Sequence, residues 1–133
     1  MKRIAFIILL FSLFITAEST RAQTPKKAIP KQTAAYNIPE EEKINLLIKY
    51  VAGLQGATFI RNGDEYSAKA AAEHLQMKRK KAGSRIKTAR EFIDGLASES
   101  SLSGEAYKIR MKDGKTYLCR DVLMKELQRI EKL

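Results

Sequence analysis

Tryptophan is absent from this 133-residue chain, which holds one cysteine and one histidine. A single cysteine, Cys119, excludes an internal disulfide. Together with His74 it supplies only two of the roughly four ligands that a structural zinc site needs. No metal site and no cofactor are therefore expected, and stability must come from an apolar core. Aromatic residues make up 8% of the chain, which argues against a stacking platform for nucleic-acid bases. A bilayer-spanning run is missing too. The longest apolar stretch, Ile4–Ala17, has 14 residues, against the roughly 20 that a transmembrane helix requires. No transmembrane anchor is expected.

That short run instead has the pattern of an export signal. Lys2 and Arg3 precede it, and Thr20-Arg21-Ala22 places small residues three before and just before a cleavage point ahead of Gln23. A periplasmic or secreted location is the expectation, with cleavage after Ala22. No cysteine follows the run, so lipid attachment is not supported. The signal carries Lys2, Arg3 and Arg21 against Glu18, so its removal takes the formal net charge from +10 to +8. A balance this basic favours an anionic glycan, a phosphate-bearing envelope component or an acidic protein as partner. A merely solvated, lysine-rich surface would give the same count. Nucleic acid is disfavoured by location.

Gln23–Leu133 is long enough for one domain and too short for two. Residues 23–37, with Pro25, Pro30 and three lysines, read as a flexible tether, leaving 38–133 as the folded domain. Asn37 is the expected N-cap of a first helix, with Pro39 in its first turn and Glu40, Glu41 and Glu42 at its positive end. Ile44, Leu47, Ile48, Val51 and Leu54 then recur at helical spacing. Asn62-Gly63 marks a tight turn, so Thr58–Tyr66 reads as a short hairpin or a structured loop, and Ser67 caps a second helix. Leu75, Ala82, Ile86, Ala89, Ile93 and Leu96 keep one helical phase, which predicts a single long helix to about Ala97, kinked at Gly83. Against it stands Thr88-x-x-Glu91, a capping box that would begin a new helix. Asp113-Gly114 predicts a second hairpin with a two-residue turn, pairing Met111 with Thr116 and Ile109 with Leu118 on the inward face. Lys108, Arg110, Tyr117 and Cys119 would share the other face, and Asp121 would cap a last helix. The class is α+β: three main helices, one of them long, with a short hairpin or loop after the first helix and a β-hairpin in the C-terminal half.

Candidate functional residues cluster on the second helix. His74, Lys78, Lys81 and Arg85 stand at steps of 4, 3 and 4 and so form one basic row. An anion-binding ridge and a solvated face both fit that row. Arg61 either clamps a carboxylate within the fold or adds a bidentate anion donor near the row. Ser98, Ser100, Ser101 and Ser103, in a loop ending at Gly104, either cap a helix end or bind sugar and phosphate oxygens. No Gly-x-Ser-x-Gly elbow presents any of them to His74. A hydrolase or glycan-modifying enzyme using His74 is therefore the rival reading, not the leading one. A third reading is a structural or inhibitory partner that works through the hairpin edge or Tyr117. Cys119, if exposed, would invite a disulfide-linked dimer, and if buried would act as a small hydrophobe.

The string Phe59-Ile60-Arg61-Asn62-Gly63-Asp64-Glu65, with His74-Leu75, Lys78, Arg85-Ile86, Thr88-Ala89, Phe92-Ile93, Ala97-Ser98, Ser100-Ser101, Ser103-Gly104 and Tyr107, resembles the YfeK-like family of small exported bacterial proteins. The resemblance runs from about Glu41 to Ile109. It implies an exported single domain of unknown function and supplies no activity, ligand or catalytic residue. The leading expectation is a non-enzymatic exported module that binds an anionic envelope partner through its basic helix face.

Overall fold

A computed structural model describes residues 37–133. The expected signal, 1–22, and the tether up to residue 36 lie outside the described residues. Helix α1 (Glu40–Gly53) sets three glutamates in its first turn and buries Ile44, Leu47, Ile48 and Val51 along one face. Its N-cap is Pro39, not Asn37, and no side chain caps it. The fixed φ of proline leads the chain into the helix, and the acidic first turn answers the open amides. Strands β1 (Thr58–Arg61) and β2 (Asp64–Ser67) then form a hairpin. Its two turn residues, Asn62 and Gly63, have φ of +51° and +83°, the pair of positive values that a tight hairpin matched to strand twist demands. Ser67 caps helix α2 (Ala68–Ala82) by accepting from the Ala70 amide at 3.2 Å.

The single long helix does not form. Helix α2 stops at Ala82, and Gly83 takes φ +52° and ψ −132°, a conformation that a residue with a Cβ rarely adopts. A 3₁₀ turn (Gly83–Arg85) and extended backbone at Ile86 follow. Thr88 then opens helix α3 (Ala89–Phe92) with both halves of the capping box in place. That helix continues as a π-helical turn through Ile93–Ala97. The unbroken apolar phase reflects two helices burying faces in the same core, not one continuous rod.

Strands β3 (Lys108–Arg110) and β4 (Thr116–Leu118) complete an antiparallel sheet in the order β2-β1-β3-β4. Their register is displaced from expectation: Ile109 faces Tyr117, and Lys108 faces Leu118. The connection is a three-residue loop closed by the Met111 amide on the Lys115 carbonyl (2.8 Å), with Gly114 at φ +83°. An extra loop residue moves every pair by one. Leu118, expected inward, is consequently exposed. Helix α4 (Cys119–Ile130) starts directly after β4, with Asp121 inside its first turn and not at its cap.

Facing pairs run Tyr66–Phe59–Ile109–Tyr117 across the sheet, and Phe59 and Ile109 are buried in the core with Leu47, Phe92, Ile93, Leu123 and Ile130. Near-buried Lys43 bonds Glu40 at 2.6 Å and Glu131 at 3.3 Å. The other Glu40 oxygen accepts from the Ala89 amide at 2.7 Å. One carboxylate thus joins the starts of α1 and α3, while Lys43 reaches past α4. These bonds hold the Glu40 carboxyl below its ordinary pKa, the Lys43 bond contributing most. The class is α+β, with four helices where three were expected.

Candidate functional site

A cavity of about 270 Å³ opens between α2 and the β1–β2 hairpin, lined mainly by apolar groups including Phe59, Ala70, Ala71, Leu75, Met77 and Cys119. Its polar rim comes from three elements and the loop before a fourth. Arg61 is two residues from Phe59 on β1, so its side chain leaves the same face of the sheet. His74 is one residue from buried Leu75 on α2. Tyr66 comes from β2, and Tyr107 immediately precedes β3.

Arg61 is the centre of this rim. Its Nη1 lies 2.8 Å from Nε2 and 3.1 Å from Nδ1 of His74, and its Nη2 donates to the Tyr66 hydroxyl at 3.2 Å. The guanidinium also sits 4.9 Å from the centre of the Tyr66 ring, a cation–π contact. A guanidinium only donates, so the imidazole facing it must be a neutral acceptor. Electrostatics agree: burial pushes the His74 pKa below its ordinary value, and the charges of Arg61, Lys78 and Lys81 push it further. His74 and Tyr107 meet edge to face with ring centres 6.4 Å apart.

Lys78, one turn along α2, is spent on the fold. Its ammonium donates to the Leu96 carbonyl (2.7 Å), the Glu99 carbonyl (3.2 Å) and the Tyr107 hydroxyl (3.3 Å). An ammonium has three N–H groups, so none is left over. Two of them cap the carbonyl end of the π-helical turn. Burial, followed by the charge of Arg61, lowers the Lys78 pKa. Among the described residues, neither Arg61 nor Lys78 forms an ion pair with a carboxylate. Glu73 lines the cavity and pairs with neither.

Of the rest of the expected row, Lys81 stays on α2 with His74 and Lys78, and only Arg85 leaves the helix. Lys81 is exposed on α2. Arg85 lies beyond the helix end and turns back to bond the Ala82 and Lys81 carbonyls. The serine loop is also largely committed. Ser98 donates to the Ile93 carbonyl at 2.6 Å, inside the π-helical turn. Ser103 donates to Asn62 Oδ1 at 2.7 Å, and Ser100 Oγ accepts from Asn62 and from the Ser103 amide. Together Ser100 and Ser103 clasp the tip of the first hairpin, while Ser101 stays exposed. No serine bonds His74. Cys119 lines the cavity floor and is buried, and its thiol is pushed up to about 12 by that burial. A thiol held protonated is no nucleophile for a His74-based mechanism.

Tyr66, Tyr107, Phe59 and Cys119 were not candidates by spacing, because the cavity unites residues from four separate elements. The buried Phe59 beside Arg61 was the one local signal. No group of three or more His, Cys, Asp or Glu side chains among the described residues could hold a metal ion. No helix among them is long and apolar enough to cross a membrane.

A family model described as "Family of unknown function (DUF5329)" matches residues 38–131, so the whole site lies within the matched region. The uncharacterized protein YfeK of Salmonella typhimurium (strain LT2) is 40% identical over 74 residues, covering 56% of this chain. The matched region is 62% of that relative's length. No solved structure matches. Its family match spanning the cavity and both hairpins, the chain belongs to DUF5329, a family of unknown function.

Proposed function

We propose that the chain is an exported, non-enzymatic binding module whose partner is an anionic component of the cell envelope, received at the rim formed by Arg61, His74, Tyr66 and Tyr107. The observation that carries this reading is a surplus of donors. The Tyr66 and Tyr107 hydroxyls each accept from a cation, which leaves each phenolic hydrogen free to donate. Neutral His74, with both ring nitrogens against Arg61 Nη1, holds that guanidinium in place and adds no charge of its own. Arg61 has N–H groups beyond the two already engaged. A rim of donors around an unpaired guanidinium favours a ligand rich in acceptor oxygens and carrying negative charge. The site lies at the mouth of the cavity and not along the helix, since Lys78 lends its charge while its N–H groups are occupied. The pattern of Met1–Ala22 supports export, and the hydrolase reading draws no support because no nucleophile is bonded to His74.

Thermal melting of the purified protein against phosphate, sulfate, acidic polysaccharide, peptidoglycan fragments and lipopolysaccharide tests the binding reading. At 100 times its dissociation constant, a ligand stabilises by about 2.7 kcal/mol. A shift that is lost in Arg61→Met is expected. Absence of any shift, or the same shift in the variant, would overturn it. Cell fractionation, with mass spectrometry for a chain beginning at Gln23, checks export and cleavage.

A second reading rests on β4, the edge strand of the sheet, where Tyr117 and Leu118 are 45% and 44% exposed. An unpaired edge with apolar side chains suits a protein partner that adds a strand. Pull-down with wild type but not with Tyr117→Lys would favour it.

A further inference from the structure

The rim and the cavity beneath it have opposite chemistry, and one ligand would have to satisfy both. We infer that the site takes a single unbranched alkyl chain ending in a carboxylate, head on Arg61 and chain in the cavity. This deepens the anion-binding reading and rests on it.

Three observations fix the class. First, apart from Glu73 and the rim, the cavity walls are apolar side chains such as Phe59, Ala70, Ala71, Leu75 and Met77, which offer nothing to a sugar or a free phosphate. Small residues on α2 leave the space open: Ala70 and Ala71 stand where longer side chains would fill it. Second, the size restricts the occupant. About 270 Å³ lies just below the roughly 300–1,000 Å³ usual for small-molecule sites, enough for one chain and not for a two-chain lipid. Third, the charge at the mouth matches a monoanion: Arg61 and nearby Lys78 bring two positive charges against the one negative charge of Glu73, which also lines the cavity. Arg61 is the one cation there with N–H groups to spare, since those of Lys78 all bond protein oxygens. A carboxylate brings one charge and two oxygens, which suits one guanidinium flanked by the Tyr66 and Tyr107 hydroxyls. A phosphate dianion would call for a second free cation, and exposed Lys81, whose charge reaches His74, does not line the cavity. Met77, 56% exposed at the lip, is a flexible apolar side chain able to fold over an entering chain.

Calorimetric titration with acetate, hexanoate, octanoate and decanoate, each below its micelle concentration, tests the inference, with decanol and decyl phosphate as controls. Affinity should rise about fourfold per added methylene until the cavity is full. Decanol should bind at least tenfold more weakly than decanoate, and Arg61→Met should erase that difference. The Met77 methyl resonance should shift with decanoate and stay unchanged with acetate. Ala71→Phe, which fills the cavity, should flatten the chain-length series; if that variant fails to fold, the wild-type series and the Met77 signal decide alone. Arg61-dependent binding that is indifferent to chain length would overturn the alkyl cavity and leave the anion site standing. Decyl phosphate binding more tightly than decanoate would overturn the carboxylate head. If no anion of any length binds, both readings fall together.

Discussion

Arg61 Nη1 and His74 Nε2 stand 2.8 Å apart across the gap between β1 and α2, a cation held against a neutral imidazole with no carboxylate between them. Charging His74 would set two cations in contact, so protonation and the native arrangement oppose each other.

A pH dependence follows, with a definite sign. The folded pKa of His74 lies below its ordinary value of 6.5, from burial first and from Arg61 next. The unfolded chain therefore binds the proton more readily, and the stability His74 contributes is complete above pH 6.5 and lost as pH falls through the folded pKa. Melting temperature should drop between pH 7 and pH 5, and His74→Gln should flatten that part of the profile. NMR titration of the ring should give a pKa below 6.5 in the wild type and a higher one in Arg61→Met. An unchanged value in the variant would count against the contact.

Lys78 predicts stability and not ligand binding. Lys78→Met keeps the aliphatic stem but strands the Leu96 and Glu99 carbonyls, a loss of about 1–2 kcal/mol in denaturant unfolding, partly relieved by water. Lys81→Ala, on the exposed surface, should change stability by less than about 0.5 kcal/mol. Equal effects would mean that the carbonyl cap is dispensable.

Gly83 provides a test of sign. In a continuous helix, Gly83→Ala would stabilise by about 1 kcal/mol. At φ +52° and ψ −132° the same change should destabilise by about 1–3 kcal/mol, although no atom lies within 4 Å of the added Cβ. Thr88→Ala, which removes half the capping box, should cost about 1 kcal/mol. Urea unfolding measures both.

Cys119 should be silent in the native protein. With its thiol buried and its pKa pushed up to about 12, it should react with Ellman's reagent at pH 8 only after denaturation. No disulfide-linked dimer should form through it. Rapid native labelling would show that the cavity floor opens.

The elements readable in the sequence were those specified locally. Helix α1 follows from its apolar spacing, the first hairpin from Asn62-Gly63, and the start of α2 from Ser67, because each depends on a few adjacent residues. The break after Ala82 was legible in two conflicting signals, and backbone conformation at Gly83 decided between them. The second hairpin went astray by one residue: Asp113-Gly114 marked the turn, but loop length is settled by how β3 and β4 pack. At the site, Arg61 and His74 were visible as charged candidates. Their contact was not, nor was the cavity, since both depend on how α2 folds back against β1.

The bond from Lys43 to Glu131 has a consequence for the order in which the chain could be strung. It sets the first turn of α1 beside the residue that follows α4, so a short Gly/Ser linker could join the two ends. New termini could then be cut at the exposed Asp113–Gly114 loop. Such a circularly permuted protein should melt cooperatively and keep its cavity, because what holds this fold is which segments touch and not where synthesis begins.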